Sequence, residues 1–168
     1  LVDPLIHTRG KASPMSTQIF ERPVHIRFSH CDPAGIVFHP QYYYILNALM
    51  EDFYLEVLGT GFIETWKTYG VGFPIAGIRS DFAAPSRAGD KCVGRLWIER
   101  LGESSVRFAM TVHMGEELRL QCVETAVCVR PSESAKGGLE KAAIPDVIRE
   151  KFAPYVRDED LPVLELRA

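Results

Sequence analysis

The longest pattern along the chain is a helical repeat of apolar residues between positions 41 and 58. Leu46, Leu49 and Phe53 recur at spacings of three and four residues, so they share one face of a helix. Pro40 suits the first turn of this helix, and Gly59 suits the position just after its end. Apolar residues also continue around its other sides, which predicts that other elements enclose it. They include Tyr42, Tyr43, Tyr44, Ile45, Met50, Tyr54 and Val57.

Strand patterns flank this helix. Residues 16–29 alternate around Val24, Ile26 and Phe28, and turn residues follow at 31–35. After the helix, four segments rich in β-branched and aromatic residues are separated by short turns, and the last three predict an antiparallel meander. These segments are 73–82, 91–101, 104–114 and 117–130. Shorter helices are expected at 63–69 and 145–152, with a polar loop at 132–138.

One long apolar helix and about five strands predict an α+β fold, in which an antiparallel sheet wraps around a central helix. The 168 residues, 46% of them apolar, suit a single domain with its own core. We expect that domain to span residues 16–153. Residues 1–15 are interpreted as an N-terminal extension or an expression remnant, and residues 154–168 as a C-terminal tail.

Composition narrows the classes of function. A net charge of −3 gives no electrostatic reason to expect a nucleic-acid partner. No apolar run is long enough to cross a membrane, and the first residues lack a signal-peptide pattern. The four cysteines form no C-x-x-C pair, so we expect free thiols in a reducing compartment. The histidines are scattered without ligand spacing, so no metal is expected either. Together these features predict a cytoplasmic protein with no membrane partner.

Candidate chemistry is concentrated just before the long helix. The segment DPAGIV, residues 32–37, places Asp32 in a tight turn ahead of the helix start. A helix N-terminus offers unpaired backbone N–H groups and a partial positive charge, which can stabilise an oxyanion during acyl transfer. A nearby carboxylate can attack the carbonyl carbon or activate a water molecule. An Asp at this position is, however, also typical of a simple turn or helix cap.

The DPAGIV segment, with the aromatic Phe38 and then Pro40 and Tyr42, resembles the signature of the 4-hydroxybenzoyl-CoA thioesterase family. The segment DFAAP, residues 81–85, and the Gly89-Asp90 pair resemble that family's strands after the helix. The similarity spans about residues 24–130. It implies the hotdog fold and hydrolysis of an acyl-CoA thioester to a carboxylic acid and coenzyme A, which is part of the substrate and not a separate cofactor.

The resemblance also implies roles for particular residues. Asp32 would be the catalytic carboxylate, acting as nucleophile or general base. Gly35 would let the backbone approach the substrate without a Cβ atom. The backbone N–H of His39 would donate to the oxyanion, and its side chain is a second candidate for proton transfer. Cys31 is a weaker candidate nucleophile, because nothing beside it in the sequence lowers its pKa.

Some positions depart from the family pattern. Many relatives carry an acid where this chain has Asn47, so Glu51 and Asp52 are alternative helix carboxylates. Coenzyme A contacts are assigned to Arg87, Ser104 and Ser105, although the family's basic cluster near the serines is absent. Further candidates for the phosphates are Lys91, Arg107 and Arg130, and candidates for an aromatic acyl pocket are Phe38, Tyr42, Trp66 and Phe73.

Two alternative functions remain within this fold. A hotdog hydratase or dehydratase would pair an acid with a His in an N-P-x-H-like turn, which this chain lacks. A non-catalytic acyl-thioester binding module would keep the pocket without chemistry, and the intact Asp32 argues against it. A homo-oligomer is also expected, either a dimer or a tetramer, because a single curled sheet leaves open edges.

Overall fold

Five antiparallel strands form the main sheet of the protein. The computed structural model describes residues 17–157 and 160–162. The sheet has the strand order β1-β3-β4-β5-β2, so β1 and β2 lie at its two edges. Its strands are β1 (Phe20–His25), β2 (Ile75–Phe82), β3 (Lys91–Leu101), β4 (Ser105–Met114) and β5 (Glu117–Val127). The predicted α+β hotdog arrangement is therefore confirmed.

The central helix α1 (His39–Phe53) packs against the concave face of the sheet. Its buried side chains are Tyr42, Leu46, Leu49, Met50 and Phe53, which recur at helical spacing. Gly94 on β3 allows the close approach of helix and sheet, because a Cβ atom there would lie 3.1 Å from side-chain atoms of both Leu49 and Val24. A Phe53-centred aromatic cluster completes this part of the core. Its members are Phe20, Tyr54, Phe108, Phe152 and Tyr155.

Beyond α1 the chain continues without a break into a π-helical turn, Tyr54–Leu58, that ends at Gly59. Gly59 has a φ of 76°, which favours glycine. Two shorter helices follow in the chain, α2 (Phe62–Tyr69) and α3 (Asp146–Phe152). A second, two-stranded sheet joins β6 (Val129–Pro131) to β7 (Leu139–Lys141). The polar loop predicted at 132–138 thus connects two short strands, of which β7 was not predicted.

The end of the chain lies along one edge of the main sheet and then contacts its outer face. Beyond the start of β1, Val156 forms a parallel bridge with Ile98 of β3, and the Arg157 N–H donates to the Ile98 carbonyl at 2.8 Å. Further along, the Leu161 N–H donates to Glu99 Oε1 at 2.6 Å. Residues 154–157 and 160–162, which the sequence places after the domain, therefore lie against the sheet. The proposed N-terminal extension, residues 1–15, lies outside the described residues.

Candidate active site

Asp32 lies in a small hairpin directly before α1. Cys31 and Val37 form an antiparallel bridge, and the Asp32 N–H donates to the Ile36 carbonyl at 3.0 Å. The turn at its tip closes with a hydrogen bond of 2.9 Å from the Gly35 N–H to the Asp32 carbonyl. Gly35 has a φ of 74°, so a residue with a side chain would be strained there. The hairpin thus holds the Asp32 backbone in one position ahead of the helix.

The carboxylate of Asp32 is oriented by its own turn. Its Oδ1 atom accepts a hydrogen bond of 2.8 Å from the Ala34 N–H, the geometry of an Asx turn. Its Oδ2 atom has no hydrogen bond with any residue in the described part of the chain. The side chain is half-buried. One oxygen is therefore held by the backbone, and the other is available to a water molecule or a substrate.

Helix α1 begins immediately after this hairpin. Phe38 is its N-cap, and the Phe38 N–H donates to the His30 carbonyl at 2.9 Å. Within residues 17–157 and 160–162 the His39 N–H has no hydrogen-bond acceptor. The next residue, Pro40, has no N–H, and the first turn carries no acidic residue. The helix start thus presents an unpaired donor at the positive end of the helix dipole.

A second loop, residues 83–90, fixes the hairpin to the helix. The Val37 N–H donates to the Ser86 carbonyl at 2.9 Å, and the Tyr42 hydroxyl donates to Ser86 Oγ at 2.8 Å. Ser86 is fully buried, and burial also raises the pKa of Tyr42. Arg87, in the same loop, places Nη1 3.5 Å from the Gly35 carbonyl oxygen. The position of Asp32 therefore depends on contacts made more than 40 residues away in the sequence.

Strand β2 runs beside α1 and leads away from the hairpin. At one end the Phe82 ring lies 6.3 Å from the His39 ring and 5.8 Å from the Tyr42 ring. At the other end Ile75 and Asn47 line the same cavity. Residues paired across β2 and β5 place their side chains on the same face of the sheet. The inward pairs are Phe82 with Leu120, Ser80 with Cys122, and Ile78 with Glu124.

That cavity has a volume of about 320 Å³ and lies between α1, α2 and the sheet. Aromatic side chains supply much of its wall. Of the described lining residues, Asn47, Glu124 and Thr65 are polar, and Tyr54 and Trp66 add a hydroxyl and an indole N–H. The Thr65 hydroxyl donates to the Gly61 carbonyl at 2.8 Å, so it is already engaged. The aromatic residues are Tyr54, Phe62, Trp66, Phe73 and Phe108. Trp66 and Phe73, which the sequence nominates for an aromatic acyl pocket, both line this cavity.

Glu124 is an unusual residue for this position. It is 8% exposed, and it forms no hydrogen bond or ion pair with any other residue that the structure describes. Burial raises the pKa of its carboxyl group, because an unpaired carboxylate is costly to bury. The carboxyl group can accept a hydrogen bond in either protonation state, and the neutral acid can also donate one.

Comparison with known protein families decides the classification. The sequence model of the thioesterase-like superfamily matches residues 26–152, most of the chain. The chain belongs to the thioesterase-like superfamily. The 4-hydroxybenzoyl-CoA thioesterase resemblance read from DPAGIV is thereby confirmed at the level of the family. Membership supports acyl-CoA thioester hydrolysis as the general activity. A search of curated proteins finds no match.

Solved structures of several thioesterases share the fold. The dynemicin thioesterase, described with polyene binding, has a TM-score of 0.73 at 19% identity over 83% of this chain and 99% of its own. A 4-hydroxybenzoyl-CoA thioesterase mutant bound to 4-hydroxybenzoyl-CoA has a TM-score of 0.70 at 21% identity, covering 80% and 98%. A gentisyl-coenzyme A thioesterase has a TM-score of 0.64 at 25% identity, covering 79% and 99%.

This superfamily member brings together only some of its candidate residues. Asp32, Gly35, His39 and Arg87 lie at one end of the sheet. The turn that carries Ser104 and Ser105 follows β3, whose 11 residues separate it by about 30 Å from the 83–90 loop. The two serine carbonyls are used within the fold, since they accept the N–H groups of Cys128 and Gly102. Within one subunit, these serines do not meet Asp32.

Most of the other charged candidates lie away from Asp32 or already form ion pairs. Glu51 is exposed and lies 12 residues after His39, about 18 Å along the helix, and Asp52 follows it. Arg107 and Arg130 pair with Glu99 and Glu140 at 2.9 Å and 2.6 Å. Lys91 is exposed at the start of β3, beside the 83–90 loop.

In the described chain, no group of three or more His, Cys, Asp and Glu residues is placed to hold a metal ion. None of its helices is long and apolar enough to span a membrane.

Two features of the site went unrecognised in the sequence. The Tyr42–Ser86 hydrogen bond leaves no sequence signal, because it joins residues 44 positions apart. Glu124 does leave a sequence signal. On β5 it occurs in the same two-residue alternation as the inward-facing Leu120, Cys122 and Ala126. A charged residue in the apolar phase of a strand indicates either a partner or a ligand.

Proposed function

We propose that this protein hydrolyses an acyl-CoA thioester with Asp32 as the catalytic carboxylate. The observation that carries the proposal is the pairing of a half-free carboxylate with an unpaired backbone donor at the start of α1. Asp32 Oδ1 is occupied by the Ala34 N–H, Oδ2 is free within the described residues, and the His39 N–H has no acceptor there. Membership of the thioesterase-like superfamily supports the same reaction.

The chemistry needs only these two groups and water. Asp32 either attacks the thioester carbonyl carbon or removes a proton from an attacking water molecule. The carbonyl oxygen takes the negative charge and accepts a hydrogen bond from the His39 N–H. Collapse of the adduct breaks the carbon–sulfur bond, and the thiolate leaves as coenzyme A. In the nucleophilic route, water then hydrolyses the anhydride with Asp32; both routes release the carboxylic acid.

We assign the acyl group to the cavity between α1, α2 and the sheet. We assign the nucleotide arm of coenzyme A to the side of the hairpin that faces away from this cavity. The cavity is lined by aromatic side chains, which suit an aromatic or unsaturated acyl group. Arg87 lies beside the hairpin and Lys91 follows the 83–90 loop. Both are exposed and have no carboxylate partner among the described residues, so they are the candidates for the phosphates.

A coenzyme A release assay tests this function. We expect turnover of aryl and unsaturated medium-length acyl-CoA substrates by the purified protein, detected as free thiol. A single turnover in ¹⁸O-labelled water distinguishes the two roles of Asp32, because attack by Asp32 followed by hydrolysis at its own carboxyl carbon leaves unlabelled oxygen in the product. Absence of hydrolysis across aromatic, unsaturated and saturated acyl groups would reject the proposal.

A further inference from the structure

We propose that Glu124 and Asn47 form a polar end to the acyl cavity and select substrates whose far end carries a neutral hydrogen-bonding group such as a hydroxyl. This inference rests on the proposed function, because it assigns the acyl group to that cavity. It concerns selectivity, and it gives Glu124 no part in the bond-breaking steps.

Glu124 has unmet hydrogen-bonding capacity within the described residues. The residue is more than nine-tenths buried, lines the cavity, and forms no hydrogen bond or ion pair with any other of them. Its opposite neighbours on the sheet, Ile78 and Phe108, are apolar. An acid kept only for structure would be expected to have a hydrogen-bonding or charged partner, because an unpaired buried polar group costs stability. The missing partner is accounted for if a ligand supplies it.

The charge of the cavity favours a neutral group. Among the described residues no Lys, Arg or His lines it, so a second carboxylate on the substrate would meet Glu124 without compensation. A neutral hydroxyl group instead can donate to the Glu124 carboxyl and form a hydrogen bond with the Asn47 amide, which both donates and accepts. Asn47 and Glu124 approach the cavity from the helix and from the sheet. A small polar group between them can be bound from both sides.

The distance between this polar pair and the helix start limits the shape of the substrate. Asn47 lies eight residues after His39 on α1, which is about 12 Å along the helix axis. On the sheet, Ile78 and its partner Glu124 lie four residues from Phe82, about 14 Å along the strand. Both elements therefore place the polar pair about 12–14 Å from the reacting end. The matching substrate is elongated and carries its polar group at the far terminus.

Binding of the free acid products tests this selectivity without requiring hydrolysis. The chain has two tryptophans, Trp66 in the cavity and Trp97 on the outer face, so a Trp97→Phe background leaves Trp66 as the only indole reporter. The probes are 4-(4-hydroxyphenyl)butanoic acid and its 4-methylphenyl counterpart, which differ only at the far end. We expect the hydroxylated acid to bind at least about tenfold more tightly, since the cavity would leave polar groups unpaired with the methyl analogue.

Two variants in the same background locate the preference. Glu124→Leu should reduce the ratio of the two dissociation constants to about one or reverse it, whereas Glu124→Gln should keep part of it. Glu116→Gln, an exposed acid in the β4–β5 turn, is the matched control and should leave the ratio unchanged. Equal binding of both probes to the Trp97→Phe protein, no binding of either, or a ratio unaffected by Glu124→Leu would overturn the inference. If the probes bind as expected but no acyl-CoA is hydrolysed, the proposed function fails and the polar cavity stands.

Discussion

At the scale of single residues, Asp32 combines a structural and a chemical position. Its backbone and Oδ1 atom hold the hairpin turn, and its Oδ2 atom has no partner in the described chain. From the sequence alone, a turn-forming role and a catalytic role are alternatives for Asp32. In the structure the turn uses its backbone and Oδ1 atom, and the proposed catalytic role uses Oδ2. A substitution that keeps the acceptor and removes the charge separates them.

We predict that Asp32→Asn lowers kcat by at least about 100-fold with little effect on folding. The amide oxygen can still accept the Ala34 N–H, so the Asx turn survives, but the side chain can no longer act as base or nucleophile. Coenzyme A release and thermal unfolding measure the two effects. Asp146→Asn, an exposed acid in the first turn of α3, is the control. Activity within a few-fold of wild type would move the catalytic role to another residue.

Glu124 gives a prediction about stability and pH. Burial raises its pKa above the usual 4.5 in the folded protein, so the folded state holds its proton more tightly than the unfolded chain does. The stability that this proton contributes is present below pH 4.5 and is lost as the pH rises through the folded pKa. The Glu124→Gln variant should therefore become more stable relative to wild type as the pH rises from acidic to neutral. Urea unfolding at pH 5 and pH 7.5 measures the free energy of unfolding of both proteins. A difference between them that does not change with pH would contradict the prediction.

The sequence identifies Asp32 more readily than Glu124. A distinctive segment, DPAGIV, was enough to nominate Asp32 and the helix start. On β5, Gln121 and Val123 are as buried as Cys122 and Glu124, because both faces of that strand are covered. The phase of Glu124 with its apolar neighbours is therefore a weaker signal than it would be on a strand with one exposed face. Its place in a cavity also depends on α1 and α2, which no pattern within β5 specifies.

At the scale of elements, the helix is the best-predicted part and its last turn is the exception. The apolar repeat predicts a helix over 41–58, and the structure has α1 from His39 to Phe53 followed by the π-helical turn. A π turn changes the hydrogen-bond spacing by one residue. This change is too small to be recognised in the spacing of apolar residues. The Leu58 carbonyl at its end accepts hydrogen bonds of 3.0 Å from the Tyr69 hydroxyl and from Lys151 Nζ.

The contact between α1 and the 83–90 loop can be tested with a double-mutant cycle. Tyr42→Phe and Ser86→Ala each remove one half of a buried hydrogen bond, so each should lower the free energy of unfolding by about 1–3 kcal/mol. The double variant should lose less than the sum, by about 0.5 kcal/mol or more, because the second substitution has no bond left to break. Strict additivity in chemical denaturation would show that the two residues are not coupled.

At the scale of the whole molecule, the open edge of the sheet carries the prediction of assembly. Strand β2 is an edge strand and exposes Ile75, Ile78 and Phe82 by 45%, 51% and 39%. Exposed apolar residues on an unpaired edge favour pairing with a second copy. We predict a dimer of twice the 18.9 kDa chain mass in light scattering, stable to dilution to micromolar concentration. A monomer with full activity at that concentration would exclude it.

The outer face of the sheet is less open to assembly than its edge. Leu161 and Pro162 form hydrogen bonds with the side chains of Glu99 and Gln121 on that face. A tetramer formed by stacking two sheets through the outer face would have to displace these contacts. None of this was predictable from the sequence, because the bonds join residues about 40 to 60 positions apart and the segment has no strand pattern of its own.

The separation between the Asp32 hairpin and the cavity has an evolutionary consequence. The hairpin is positioned by the 83–90 loop, whereas the cavity is walled by α2, residues 72–75 and the last residues of β5. Mutations that reshape the cavity therefore need not disturb the atoms proposed to carry out the reaction. A lineage built on this fold can diversify in substrate range by substituting a few residues on one side of the central helix while its hydrolytic machinery is inherited unchanged.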